Sequence, residues 1–167
     1  IGETTMEILV RRNDLVKELH LVQGIVERKN SIPILSNVLV EARPDELRIS
    51  ATDLDVSLRC GCSAQVVKEG AVNLGAKKLY EIVREIPDEP VHVEVATNAY
   101  LTIRCARAEF TLAGTMADEY PTLPAFGSGD MATVQASVLR DMIERTMYAA
   151  SVDETRYNLN GVYLEQQ

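Results

Sequence analysis

Asp53 and Asp55 stand two apart in the stretch Thr52 to Asp55, TDLD, a spacing that puts two carboxylates on one side of an extended chain and could hold a hard divalent cation. Carboxylates in a turn are more often solvated. The sequence also offers no glycine-rich phosphate loop, activated nucleophile or His-carboxylate arrangement that would give such a metal a reaction to run. Cys60 and Cys62 are likewise two apart, and Cys105 lies in another strand pattern. A thiolate zinc site would have to draw its further ligands from His20 and His92, the two histidines of the chain. An odd number of cysteines without framework spacing reads instead as buried free thiols. The remaining chemistry is electrostatic. The formal charge is -8, which argues against a protein that grips nucleic acid with its whole surface. Its distribution is uneven: from Arg11 to Lys29 five basic residues face three acidic ones, and from Lys77 to Arg84 three face one. Both stretches carry +2 within an acidic chain.

The elements that must position these charges follow from hydrophobic period. Met6 to Val10 alternates as a strand. Asn13 or Asp14 can cap a helix whose buried stripe is Leu15, Leu19, Val22 and Val26, leaving Lys17, His20, Gly24 and Arg28 on an exposed face. The helical period ends in ERKNSIPILSN, Glu27 to Asn37, where Pro33 cannot continue it. Three alternating strands follow, with Val38, Val40 and Ala42, then Leu47, Ile49 and Ala51, then Val56, Leu58, Cys60 and Cys62 inward; Arg48, Ser50 and Thr52 fall on the wet face.

The pattern then restarts. Ala71 to Gly75 is a strand, and Leu79, Ile82, Val83 and Ile86 form the stripe of a helix stopped by Pro87. Strands carrying Val91, Val93 and Val95, then Leu101, Ile103 and Cys105, then Phe110 and Leu112 complete a second strand-helix-three-strand unit. A third begins with a strand at Met131 to Ala136, a cap at Ser137, a helix through Leu139, Met142, Ile143, Thr146 and Ala150, and a further strand near Gly161; it is incomplete. The expected organisation is an extension or tag remnant at 1–5, a two-unit domain at 6–114, a linker at 115–130 and a partial domain at 131–167. No apolar run approaches the roughly 18 residues that span a bilayer, and a cytoplasmic protein is expected. Packing each helix stripe on its sheet gives an α+β fold with helices on one face of antiparallel sheet.

The repeat, the KNSIPILSN and TDLD stretches, ADEYP (Ala117 to Pro121) and TRYNLNG (Thr155 to Gly161) together resemble the bacterial replicative sliding clamp, the DNA polymerase III beta subunit. The resemblance implies the DNA clamp (processivity) fold and, in the full-length protein, a homodimer ring around duplex DNA with helices lining its channel. It implies no enzyme activity and no cofactor. Its partners would be duplex DNA, the replicative polymerase, the clamp loader and other clamp-binding proteins; no membrane is implied. On the family's pattern Lys17, Arg28, Lys29, Lys77 and Tyr157 would meet DNA, Arg156 and Leu159 would contribute to a groove for client peptides, and Lys78, Phe110 and Leu112 would lie at the subunit interface. Asp153 departs from that pattern, since an acid beside phosphate repels it. An uncovered Phe110 and Leu112 edge and an incomplete third unit predict self-association or a poorly ordered tail. The alternative is a truncated, clamp-like interaction module that self-associates without encircling DNA.

Overall fold

The computed structural model describes residues 3–26, 32–123, 133–153 and 155–165. They fall into two compact units, Ile1–Pro124 and Ala125–Gln167.

The first unit contains both complete repeats. The first repeat is β1 (Thr4–Arg11), α1 (Arg12–Val26), β2 (Asn37–Arg43), β3 (Glu46–Thr52) and β4 (Ser57–Lys68); the second is β5 (Gly70–Gly75), α2 (Ala76–Glu85), β6 (Pro90–Ala96), β7 (Tyr100–Cys105) and β8 (Ala108–Ala113). Thr4 and Thr5 belong to β1: the Thr5 hydroxyl donates to the Val95 carbonyl at 3.1 Å, so the strand begins inside the stretch expected to be an extension. α1 begins at Arg12, so both expected caps, Asn13 and Asp14, lie inside its first turn. Asn13 donates to Asp88 at 2.6 Å and Asp14 pairs with Arg11 at 2.7 Å.

The strands form one antiparallel sheet in the order β5-β2-β3-β4-β1-β6-β7-β8. The repeats are therefore interlocked, not merely adjacent. β1, from the first repeat, pairs with β6 of the second, and β5, from the second, pairs with β2 of the first. β4 runs 12 residues, well past the expected end near Cys62, because it serves two neighbours: Ser57 to Ser63 face β3 and Ala64 to Lys68 face β1. Val56 precedes this strand and is exposed.

The helix stripes close one core against the sheet. Leu15, Leu19, Val22 and Val26 of α1 and Leu79, Val83 and the following Ile86 of α2 are buried with Ile8, Val40, Ile49, Val93 and Ile103. Each large aliphatic side chain so buried stabilises by about 1.5–3 kcal/mol. The opposite sheet face is wet only in part, since Ser50 and Thr52, expected in solvent, are buried. At Thr52 the segment expected to be a linker packs back on this face. Thr115 exchanges backbone hydrogen bonds with Asn73 of β5 at 2.9 and 3.1 Å, and Tyr120, 5% exposed, accepts from the Thr52 amide at 3.1 Å and donates to the Asn37 carbonyl at 3.3 Å. Gly114 permits this route: a Cβ there would lie 2.7 Å from the Ala99 carbonyl oxygen and 2.8 Å from that of Asn73.

In the second unit α3 (Ala136–Thr146) is capped by Gln135 without a side-chain bond, so Ser137 lies within the helix instead of capping it. Two i, i+4 ion pairs lie along it, Arg140 with Glu144 at 2.8 Å and Arg145 with Asp141 at 3.0 Å. Met131 and Ala132 lie outside the described residues; 133–135 form no strand, and neither do 161–165. A strand persists only where another pairs its backbone, and none of the described residues in this unit does so.

Candidate nucleic-acid interface

α1 and α2 lie side by side and antiparallel, an orientation set by polar ties at each end. At one end Arg12 donates from Nε to the Val83 carbonyl at 3.0 Å and from a terminal nitrogen to the Arg84 carbonyl, satisfying backbone oxygens near the end of α2. At the other, Gln23 Nε2 donates to the Ala76 carbonyl at 3.4 Å. Midway, His20 Nδ1 lies 3.3 Å from the Tyr80 hydroxyl, the ring centroids are 6.0 Å apart, and the Arg84 guanidinium stands 5.7 Å above the Tyr80 ring.

That pairing merges two exposed stripes. Lys17, His20 and Gly24 follow one another at i, i+3 and i+7 along α1, as do Lys77, Tyr80 and Arg84 along α2. The stripes contain three cations and no carboxylate. Lys17 reaches Asp14 only at 3.9 Å, and Lys77 makes no ion pair with a described residue, whereas Lys78 is turned to Glu81 at 3.3 Å. Arg84 is held cationic by its hydrogen bond with Glu85. An anionic polymer meeting this layer would find Lys17 and Lys77 little compensated and Arg84 shared with Glu85 at 2.9 Å.

Lys17 and Lys77 are thus brought onto one surface. Arg28 and Lys29 lie outside the described residues. The sequence reading passed over Tyr80 and weighed His20 only as a zinc ligand and an exposed helix residue, although the 77, 80, 84 period of the second helix was available to find the first.

Tyr157, Arg156 and Leu159 lie in the second unit, on a loop that closes on itself. The Ser151 amide donates to the Leu159 carbonyl at 2.8 Å and the Arg156 amide to the Asp153 carbonyl at 3.0 Å. With its amide oriented to satisfy these neighbours, Asn160 donates to the carbonyls of Arg156, Ser151 and Asp153 at 3.0–3.3 Å. Tyr157, 85% exposed, and Leu159 are presented outward. Asp153 is partly compensated here: its carboxylate accepts from the Thr155 hydroxyl at 2.7 Å and amide at 3.0 Å, which lowers its pKa, and faces Arg156 Nε at 3.5 Å.

Lys78 and Phe110 border a groove of about 320 Å³ between α2 and β8, with Ile82, Ile86 and Pro87 along it. Leu112, on the same side of β8, is half-buried against the core. Among the described residues β8 pairs only with β7, and none of them covers its outer edge.

The metal alternatives lose their donors. The Asp53 carboxylate accepts from the amides of Asp55 at 3.1 Å and Val56 at 2.7 Å, ordering a turn in which Leu54 adopts φ 78°. Cys60 and Cys62 are free thiols beneath α1, pushed up to about 12 and about 11, first by burial and then by Glu18. His92 bonds Glu7 at 2.9 Å, and no cluster able to hold a metal occurs among the described residues.

Residues 6–124 match the family described as DNA polymerase III beta subunit, N-terminal domain. Over 161 residues, 95% of this chain and 43% of the relative, the sequence is 38% identical to the beta sliding clamp of Caulobacter vibrioides; over 159 residues, 95% and 43%, it is 33% identical to that of Chlamydia muridarum. The fold superposes on the DNA polymerase sliding clamp from Caulobacter crescentus with a TM-score of 0.86 at 39% identity, covering 93% of this chain and 43% of that one. For the sliding clamp from Bartonella birtlesii, bound to griselimycin, the TM-score is 0.88 at 34% identity, covering 95% and 42%. The chain thus spans less than half the length of the clamps it matches. With the interlocked repeat and the basic helix layer, the match over 6–124 establishes that the chain belongs to the DNA polymerase III beta subunit family.

Proposed function

We propose that this chain supplies part of a DNA sliding clamp subunit, in which the α1–α2 layer faces duplex DNA and the replicative polymerase is tethered for processive synthesis. The observation that carries this reading is the pair of stripes that bring Lys17, Lys77 and Arg84 together without a carboxylate. Such a layer attracts phosphate without reading bases, which is what sliding requires. Tyr157 adds a DNA contact from the second unit. Arg156 and Leu159 contribute to a groove for the peptides of polymerase, clamp loader and other clamp-binding proteins. Lys78, Phe110 and Leu112 meet a second subunit, and the assembled homodimer ring works in the cytoplasm as a processivity factor, with no cofactor or catalytic site of its own. The expected division into a clamp N-terminal domain at 6–114, a linker at 115–130 and a second clamp domain from 131 is kept with one change: the packed residues Thr115 to Tyr120 are counted with the first domain.

Duplex binding tests the reading. Held by contacts alone, the chain should bind short duplexes weakly and without sequence preference. Lys17→Ala with Lys77→Ala should flatten the log-log salt dependence by about 1.8, close to 0.9 per lost phosphate contact. A salt slope unchanged by the double variant, or tight sequence-selective binding, would overturn it. The open edge of β8 favours a second reading, an interaction module that self-associates without DNA. That reading predicts association unaffected by duplex and no lysine-dependent binding.

A further inference from the structure

At the centre of the basic helix layer stands a titratable group to which the clamp reading gives no role. His20 projects from α1 into solvent, one turn beyond Lys17. Across from it α2 presents Tyr80, with Lys77 a turn before that residue and Arg84 a turn after it. Among the described residues no carboxylate of these helices is paired with the His20 ring: Asp14 pairs with Arg11 at 2.7 Å and reaches Lys17 at 3.9 Å, Glu81 pairs with Lys78, and Glu85 pairs with Arg84 of the layer at 2.9 Å. Glu18 lies on the side of α1 that covers Cys60 and Cys62, where the strands meet the helix. The one polar partner of His20 among the described residues is the Tyr80 hydroxyl, 3.3 Å from Nδ1.

A hydroxyl either donates or accepts, so Tyr80 can partner the neutral ring or the charged one without opposing a second proton. In the charged ring Nδ1–H donates to the Tyr80 oxygen and Nε2–H is left for an incoming acceptor. His92 is placed differently, on the far face of the sheet against the Glu7 carboxylate at 2.9 Å.

We propose that His20 is a proton-coupled phosphate contact: an approaching duplex phosphate favours the imidazolium, and the proton, taken from solvent, adds a further positive charge to the layer of Lys17, Lys77 and Arg84. The inference rests on that layer being the DNA face. Binding then takes up a proton, and the hold on DNA strengthens as pH falls.

The test is duplex affinity of the whole chain, followed by fluorescence anisotropy near pH 6 and near pH 8 at one ionic strength, with calorimetry in two buffers of different ionisation heat to count protons. The wild-type chain should bind about five- to tenfold tighter at the lower pH, the worth of roughly one phosphate contact at about 0.1 M salt. His20→Gln should lose most of that response and the proton uptake. His20→Arg should bind tightly at both pH values. Tyr80→Phe and His92→Gln should keep the response. An undiminished pH response in His20→Gln overturns the inference while leaving the DNA face intact, provided Lys17→Ala with Lys77→Ala still weakens binding. If those lysine substitutions have no effect at either pH, the DNA face itself is wrong and the inference falls with it.

Discussion

Tyr120 shows how one atom redirects a segment. Burial raises the pKa of its phenol, and the hydroxyl takes the Thr52 amide, which is buried, and gives to the Asn37 carbonyl, which is partly buried, so backbone groups of two different strands are bonded to it. Tyr120→Phe keeps the ring and removes both bonds. Leaving the Thr52 amide unpaired should cost about 1–3 kcal/mol in urea unfolding and speed hydrogen exchange at that amide. Unchanged exchange at Thr52 would mean that the ring alone holds the segment. Gly114, a few residues earlier, matters through what is absent, since the chain passes too close to two carbonyls for a side chain.

Among the elements β4 carries a second consequence. It threads Cys60 and Cys62 beneath α1, with the Cys60 thiol 3.7 Å from the Glu18 and Ile49 carbonyls. Burial keeps both thiols neutral in the fold, whereas in the unfolded chain they ionise near their ordinary value of 9.0. Above that value the unfolded state binds fewer protons than the native one. The thiol contribution to stability is therefore intact below about pH 9 and is lost as pH rises toward about 11 for Cys62 and about 12 for Cys60. Urea midpoints should fall between about pH 8 and pH 10.5, and Cys60→Ala with Cys62→Ala should make that fall shallower. An equal fall in the double variant would assign the loss to other groups, of which Tyr120 is one with the same sign.

For the first unit as a whole, exchange of β1 and β5 means that neither repeat can complete its sheet alone, so the two should unfold together. The same topology leaves β8 as an outer edge beside a groove with Phe110 on its rim. An edge of this kind recruits another chain, and at the subunit contact proposed here that chain would be a second copy. Sedimentation velocity over a wide concentration range should show association of the chain that Phe110→Glu weakens. A concentration-independent monomer would remove β8 as a contact surface.

Periodicity alone determined the order of strands and helices in the first unit, the buried stripes of α1 and α2, and the exposure of Lys17 and Lys77. Those features depend on contacts a few residues apart, which a period of 2 or 3.6 records directly. Val38, Val40 and Ala42, or Leu79 and Val83, could therefore be placed inward before any fold was known. Tertiary structure decided the rest. Whether β1 pairs within its own repeat, where β4 ends and what buries Ser50 and Thr52 are questions of long-range pairing, and no local period encodes them. The meeting of His20 and Tyr80 is of the same kind: 60 residues separate them, and only the antiparallel docking of two helices brings an imidazole and a phenol to 3.3 Å. In the second unit a helix formed where the pattern required one, though it ends at Thr146, short of the expected Ala150, because a helix satisfies its own backbone; the strands did not form, because a strand needs a neighbour to do so.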